Sequence, residues 1–409
     1  MKTSITQTLL QTPEGQHANR ILRNCVHCGF CNATCPTYQL LGDELDGPRG
    51  RIYLIKQVLE GETPTRQTQQ HLDRCLTCRN CESTCPSGVH YSHLLNIGRK
   101  LVNREVKRPL PQRLTQAFLR RLFLSRPVFS ALLKTGQALR PLLPRKLKQS
   151  IPKPQQQAAF TGGTHEHKVL LVAGCVQPAL QPGIDHAAKI VFDRLAIECI
   201  EPPTTVCCGS LSHHLNAEDE ALAIMRANID RWLPLVEQHN IRAITMTASG
   251  CGVAIKEYAQ LLADDRHYAD KAERISQLYK DPVEIISEAL SADRRLYRKL
   301  PQENTGTTVV FHPPCTLQHG MQLKRRVEPI LENCGFTLKP VRDAHLCCGS
   351  AGTYSITQKA LSQQLLHNKL GTIGQADAAI IATANIGCQL HLQSGTRTPV
   401  RHWLELLAR

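Results

Sequence analysis

Eighteen of the 409 residues are cysteine, and their spacing carries most of the chemistry this sequence can do. The first eight form two matching runs. Cys25, Cys28, Cys31 and Cys35 are separated by two, two and three residues, and Pro36 follows. Cys75, Cys78, Cys81 and Cys85, followed by Pro86, repeat that spacing fifty residues later. Three thiolates on one tight turn reach three corners of an iron–sulfur cube but cannot wrap round to the fourth. Proline after the fourth cysteine stops the helix and turns that thiolate toward the neighbouring site. The spacing therefore predicts two 4Fe–4S clusters, one on Cys25, Cys28, Cys31 and Cys85, the other on Cys75, Cys78, Cys81 and Cys35. Zinc sites with four cysteines need only paired Cys-x-x-Cys knuckles. They leave the central cysteine of each run and both Cys-Pro endings without a role. Two clusters with no substrate-binding acid or base among them read as a wire for single electrons.

The remaining ten cysteines lie between Cys175 and Cys388 and reveal an internal repeat. Cys175 precedes the adjacent pair Cys207-Cys208 by 32 positions, and Cys315 precedes Cys347-Cys348 by the same 32. Both pairs run on into Gly-Ser, at Gly209-Ser210 and Gly349-Ser350. A turn of small residues with a lone cysteine follows each, at Cys251 and Cys388. Vicinal thiols suit a distorted cluster, a bridging thiolate or a redox pair, while inert core packing is the plain alternative. Cys175, Cys207, Cys208 and Cys251, then Cys315, Cys347, Cys348 and Cys388, are thus candidates for additional cluster or thiol sites. Cys199 and Cys334 match no motif and read as structural. His213, His214, His312, His319 and His345 sit near these motifs, each as a proton relay or as a locally bonded core residue.

These motifs need elements to hold them. The fifty-residue separation of the first two runs predicts intervening helices, such as one over 51–59, and so a helical ferredoxin-like module over residues 1–98. Residues 99–167 read as a basic connector broken by prolines, with an amphipathic helix through Leu110, Leu114, Phe118 and Leu122 and a linker from 151 to 167. From 168 onward short apolar runs alternate with helical spacing. Strands are expected at 169–172, 241–247, 308–311 and 378–382, and helices at 185–195, 217–236, 252–262, 323–332 and 357–370. The chain is therefore an α+β multi-domain protein: the helical module, the connector, and two α/β Cys-Cys-Gly repeats at 168–300 and 301–409.

With 42% hydrophobic residues the chain can bury substantial cores. No run of eighteen apolar residues predicts a spanning helix, and the polar first twenty residues do not resemble a secretory signal. The expected setting is reducing, where cysteines serve as soft metal ligands in preference to disulfides. The net charge of +15 is concentrated: fifteen Lys/Arg and one acid, Glu105, lie between Arg99 and Lys153. That pattern does not describe a nucleic-acid binder. It suits an anionic membrane surface or an acidic partner, against a plain solvated linker.

In Cys25-Val26-His27-Cys28-Gly29-Phe30-Cys31, in Leu40 to Arg51 with its Gly47-Pro48-Arg49-Gly50-Arg51, and in His345 to Tyr354, the sequence resembles the iron–sulfur subunits of glycolate oxidase. These are Cys-Cys-Gly domain proteins related to the heterodisulfide reductase B subunit and the anaerobic glycerol-3-phosphate dehydrogenase C subunit. The resemblance runs from Cys25 to Trp403. It implies a non-catalytic electron-transfer subunit of a 2-hydroxy-acid oxidoreductase, peripheral on the cytoplasmic face of the bacterial inner membrane. Glycolate would be oxidised to glyoxylate, and D-lactate to pyruvate, at FAD on two flavoprotein partner subunits, with electrons passing through this chain to quinone or another respiratory acceptor. No Gly-rich dinucleotide fingerprint occurs here, which agrees with flavin on the partners. One departure stands out. In the fuller Cys-Cys-Gly motif, as in the heterodisulfide reductase relatives, the last cysteine belongs to a Cys-x-x-Cys; this chain has Ala248 and Asn385 there, so each repeat lacks one cysteine. A four-ligand cluster, a thiol site and an empty site all stay open, as does a thiol–disulfide reductase acting through the vicinal cysteines, or a basic adaptor with structural clusters.

Overall fold

The structure, a computed structural model, describes residues 1–142, 144, 151–155, 159–204, 207–302 and 306–409. Parts of the expected basic connector and linker, at 143, 145–150 and 156–158, lie outside the described residues.

The first hundred residues are helical. Pro13–Asn24, Pro36–Leu41, Pro48–Leu59, Arg66–Asp73 and Tyr91–Glu105 carry the module. Three of them open on proline, whose fixed φ suits the first helical turn and whose missing N–H is not needed there. Thr12 accepts from the Gly15 N–H, and Thr65 forms a capping box with Thr68. Leu22, Ile55, Leu59, Leu72, Leu94 and Leu95 are fully buried between these helices. Each contributes roughly 2 kcal/mol on burial. Helices Pro48–Leu59 and Tyr91–Glu105 approach closely because Gly98 has no side chain; a Cβ there would lie 2.5 Å from Ile55.

The first residues of the expected connector continue the module's helix to Glu105, and helices Leu110–Leu124 and Arg126–Leu139 follow, in which only Leu119 is buried. Leu110, Leu114, Phe118, Val128 and Leu132 face outward among the cations. Among the described residues no helix is long and apolar enough to cross a membrane.

Each repeat is a parallel sheet with helices around it. Strands β1 (His167–Leu171), β2 (Ile197–Ile200) and β3 (Ala243–Thr245) lie in the order β2-β1-β3. Strands β4 (Thr308–His312), β5 (Thr337–Leu338), β6 (Ile380–Thr383) and β7 (Val400–His402) lie in the order β5-β4-β6-β7. The register is the same in both: Leu171 pairs with Thr245, and the matching Phe311 pairs with Ala382. An isolated parallel bridge from Ile244 to Tyr279 stands where β7 stands in the second sheet. Two departures from the sequence expectation have local causes. The helix expected over 323–332 is confined to Glu328–Asn333, because Gln322 and Arg325 adopt left-handed backbone (φ 60° and 53°) and a π-turn occupies Thr316–Gly320. The helix expected over 252–262 divides into Ser249–Lys256 and Tyr258–Leu261.

The two sheets meet at the carboxyl ends of their strands. Ser249 N–H donates to Ala384 O at 3.4 Å, the Ser249 and Thr316 hydroxyls lie 2.7 Å apart, and His402 Nε2 lies 3.0 Å from Thr247 O. The helical module docks on both repeats. Asn80 donates to His345 O at 3.2 Å, Ser83 Oγ lies 3.0 Å from His319 Nδ1, Tyr354 donates to Arg74 O at 3.0 Å, and Arg79 pairs with Glu257.

Candidate metal centres

The two cysteine runs of the helical module fold as the same loop twice. His27 and Gly29 flank Cys28 with φ of 61° and 86°, and Thr77 and Arg79 flank Cys78 with φ of 53° and 60°. Left-handed backbone on both sides of the middle cysteine coils the loop so that three thiols turn to one side. A Cβ at Gly29 would lie 2.6 Å from Arg49 Nη1, which the flexible arginine side chain can relieve, so the positive φ is the stronger reason for glycine there. Cys85 closes helix Asn80–Thr84, as a helix-stopping proline after it demands. At the other run the proline also opens a helix, Pro36–Leu41, with Cys35 at its N-cap.

Cys25, Cys28, Cys31 and Cys85 line one small cavity. Cys35, Cys75, Cys78 and Cys81 line another. The fourth thiol of each set therefore comes from the other run. Pro48, Cys81 and Tyr91 line both cavities and form the wall between them. Neither lining contains a carboxylate, and each contains arginine: Arg49 in the first, Arg51 and Arg79 in the second. Soft sulfur donors with cations behind them fit an iron–sulfur cluster, which carries negative charge, and fit no hard ion such as magnesium. Burial and the neighbouring Cys25, Cys85 and Cys28 push the Cys31 thiol up to about 11. Burial, with neighbouring cysteines, also raises Cys78 and Cys81 well above the ordinary thiol range. Burial and crowding thus favour the neutral thiols of Cys31, Cys78 and Cys81, and a bound metal would displace their protons.

Arg51 is the largest charged side chain buried beside these thiols. It is 0% exposed, donates to His71 O at 2.7 Å and to Thr37 Oγ1 at 3.2 Å, and reaches Asp46 Oδ1 at 3.4 Å. Burial opposes its charge, but Cys75, Tyr91, Cys35 and Asp46 hold the guanidinium protonated, above its ordinary value. Asp46 is held in turn by Arg74 at 2.7 Å and His71 at 3.1 Å. Sequence reasoning quotes Arg51 only inside a motif, since nothing local to a helix start marks a buried cation.

Both repeats gather their four cysteines at the carboxyl edge of the sheet. Thiol hydrogen bonds join Cys175 to Cys207, Cys207 to Cys208, and Cys208 to Cys251. The same line runs from Cys315 to Cys347, Cys348 and Cys388. Gly209 and Gly349 follow each pair with φ of 87° and 90°, and each donates its N–H to the first sulfur of the pair at 3.4 Å. Cys175 and Cys208 donate to Cys207 and favour its thiolate, and they are themselves pushed up. Asn385 caps helix Ile386–Gly395, its side chain accepting from Gly387 N–H at 3.4 Å.

The remaining candidates separate by position. His319 is fixed between Ser83 Oγ and His345 O, at 3.0 Å from each. His213 and His214 line a large cavity between the helical module and the first repeat. His312 is buried, and its Nε2 has no hydrogen-bond partner among the described residues. Cys199 lies in β2 and Cys334 at the end of helix Glu328–Asn333, away from both thiol lines. The second thiol line abuts the helical module: Leu76, Cys315, Cys347, Tyr354, Leu361 and Leu365 form one apolar cluster with Cys78 against it.

Residues 21–89 match the family model of the 4Fe-4S dicluster domain, and residues 169–256 and 309–393 match that of the Cysteine-rich domain. The chain is 49% identical over 414 residues to the glycolate oxidase iron-sulfur subunit of Escherichia coli (strain K12), covering 100% of this chain and 98% of that protein. It is 28% identical over 403 residues to the probable glycolate oxidase iron-sulfur subunit of Bacillus subtilis (strain 168), covering 91% and 89%. It is 24% identical over 231 residues to lactate utilization protein A of Bacillus pumilus (strain SAFR-032), covering 55% of this chain and 90% of that protein. With two four-thiol cavities, a repeated cysteine-rich domain and full-length identity of this order, the chain belongs to the family of glycolate oxidase iron–sulfur subunits.

Proposed function

We propose that this chain is the electron-transfer subunit of a glycolate oxidase complex, holding one 4Fe–4S cluster on Cys25, Cys28, Cys31 and Cys85 and a second on Cys75, Cys78, Cys81 and Cys35. The observation that carries this reading is the shared wall of the two cavities, Pro48, Cys81 and Tyr91, which leaves one residue layer between the two sites. Bound clusters supply one-electron storage. The residues around them hold the thiolates, balance their charge through Arg49, Arg51 and Arg79, and exclude water with Ile52, Val89 and Tyr91. Oxidation of glycolate to glyoxylate, or of D-lactate to pyruvate, at a flavin on a partner subunit would release two electrons and two protons. This chain would pass the electrons singly to a quinone, which would take up two protons.

Entry at the first site is favoured by its exposure, since Cys28 is exposed and Val26 and Phe30 beside it are 67% and 63% exposed. The second site faces inward, toward the cysteines of the second repeat. Peripheral attachment to the cytoplasmic face of the inner membrane is supported by outward Leu110, Leu114 and Phe118 among the connector's cations. A thiol–disulfide reductase needs a sulfur that a substrate can reach, whereas Cys207, Cys208, Cys347 and Cys348 are all buried.

The test is co-expression with candidate flavoprotein subunits, followed by dye reduction over a panel of 2-hydroxy acids. Glycolate-dependent reduction is expected in the assembled complex, lost when Cys28 or Cys78 is changed to Ser while flavin reduction by glycolate persists. Retention of full dye and quinone reduction in both variants would sink the electron-wire reading.

A further inference from the structure

The two repeats share their four cysteines but differ in what stands behind them. His312 ends β4, and the common register places Val172 at the matching position behind the first thiol line. A ring nitrogen of His312, Cys348 Sγ and Cys388 Sγ all lie within 4.8 Å of one another, and all three residues are buried. Its Nε2 atom has no hydrogen-bond partner among the described residues, although His312 is only 2% exposed. A buried polar nitrogen left unpaired costs roughly 1–3 kcal/mol, a cost the apolar Val172 avoids in the first repeat. The carboxyl ends of parallel strands are also where open α/β sheets bind their ligands.

A second difference concerns charge. Lys369 is buried, donates to Asp343 O at 2.7 Å, and lies within electrostatic reach of Cys315, Cys347 and Cys348. Among the described residues no carboxylate makes an ion pair with it. Helical position 22 after the first cysteine of the pair is Lys369 in the second repeat and the fully buried Ile229 in the first. A lysine is rarely buried unless it is paired, and metal-bound thiolates provide that partner.

We propose that His312 Nε2, Cys348 Sγ and Cys388 Sγ ligate a metal ion in the second repeat, and that the first repeat has no such site. The donor set, one imidazole and two thiolates, selects a thiophilic ion of the iron or zinc class. Cys347, hydrogen-bonded to Cys348, supplies the next thiolate in line. His312 thus stands in for the cysteine missing at Asn385, and Lys369 offsets the charge of the ligated sulfurs. The first repeat, with Val172 and Ile229, remains a thiol site.

The full chain is purified anaerobically as wild type, as His312→Val, which copies the first repeat, and as His312→Cys, which keeps a soft donor. Iron and zinc per chain are counted, and X-ray absorption at the edge of the metal lost in His312→Val reports sulfur and nitrogen ligation. The wild type is expected to hold metal beyond the roughly eight irons of two 4Fe–4S clusters. His312→Val is expected to lose that excess while keeping the two clusters' signals, and His312→Cys to retain the metal with its nitrogen scattering replaced by sulfur. Wild-type metal limited to two clusters, or an excess unchanged in His312→Val with no nitrogen ligand, overturns the proposal. Absence of 4Fe–4S signals in the wild type would instead sink the electron-transfer reading, which the count at His312 does not depend on.

Discussion

Replacing Arg51 separates two roles that a buried cation beside a cluster can play. Its guanidinium is fully enclosed and makes three contacts, with His71 O, Thr37 Oγ1 and Asp46 Oδ1. Hydrogen bonds to charged groups are worth roughly 1.5–3 kcal/mol each. Breaking a buried ion pair costs roughly 3–5 kcal/mol when it strands the partner. Asp46 is not wholly stranded, because Arg74 and His71 still hold it. The expected loss for Arg51→Gln is therefore at the lower end, about 3 kcal/mol. The same change removes a positive charge from the wall of the cavity lined by Cys35, Cys75, Cys78 and Cys81, so the reduction potential of a cluster held there falls. Arg51→Lys keeps the charge but not the planar fork; it should lose part of the stability and little of the potential. Denaturant titration of the anaerobic protein, with iron retention and redox potentiometry of the inner cluster, reads all three quantities. An Arg51→Gln protein within about 1 kcal/mol of wild type, holding all its iron at an unchanged potential, would refute the reasoning.

Three further outcomes follow from particular contacts. Gly349→Ala meets Ser362 O at 2.6 Å and Leu365 Cβ at 2.8 Å with φ at +90°, whereas Gly209→Ala meets nothing closer than 3.1 Å; thermal melts should show the first costing clearly more than the second, by about 1–2 kcal/mol. Burial would raise the Glu257 carboxyl, but His93 and Arg79 hold it down at about 2, below the usual 4.5. A depressed carboxyl stabilises the docked module above pH 4.5 and loses that contribution as pH falls toward 2; Glu257→Gln should loosen docking at pH 7, read as faster proteolysis of the connector, and flatten the pH dependence in that window. Burial raises the Asp281 carboxyl to about 7 from 3.8, although the Val283 N–H it caps favours the charge. Its protonated form is the native one, so its contribution is complete below pH 3.8 and declines as pH rises through 7; Asp281→Asn, which keeps the cap, should match wild type at pH 4 and exceed it at pH 8 by up to about 4 kcal/mol in a denaturant titration.

What could be read from the sequence was whatever is fixed over short range. A cluster-binding loop needs three thiols within seven residues, so Cys25 to Cys31 and Cys75 to Cys81 announce themselves by spacing alone. The repeat is equally plain, because the strand–turn–cysteine unit is copied with its offsets intact from Cys175 to Cys315. Long buried strands such as β1 and β4 carry enough apolar residues to be recognised, whereas β5, two residues long, and β2, with Glu198 and Cys199 in its middle, carry no such run. Turn chemistry was partly hidden too: Gln322 and Arg325 give no warning that they will adopt positive φ and delay the start of a helix to Glu328.

The residues that escaped are those whose role depends on contacts far along the chain. Arg51 and Lys369 belong to types that are usually solvated, and only the assembled fold places them against sulfur. The docking of the helical module on the second repeat is set by pairs such as Asn80 with His345 and Arg74 with Tyr354, separated by 265 and 280 positions. No local pattern encodes such pairs. His312 is the clearest case. In the sequence it is one of five histidines near cysteine motifs, indistinguishable by type from His319. In the structure His319 spends its ring nitrogens on Ser83 and on a carbonyl, while His312, close to Cys348 and Cys388, keeps its Nε2 without a partner among the described residues. The difference between a satisfied core histidine and a ligand is therefore a matter of unspent hydrogen-bonding capacity, and only the surrounding side chains reveal it.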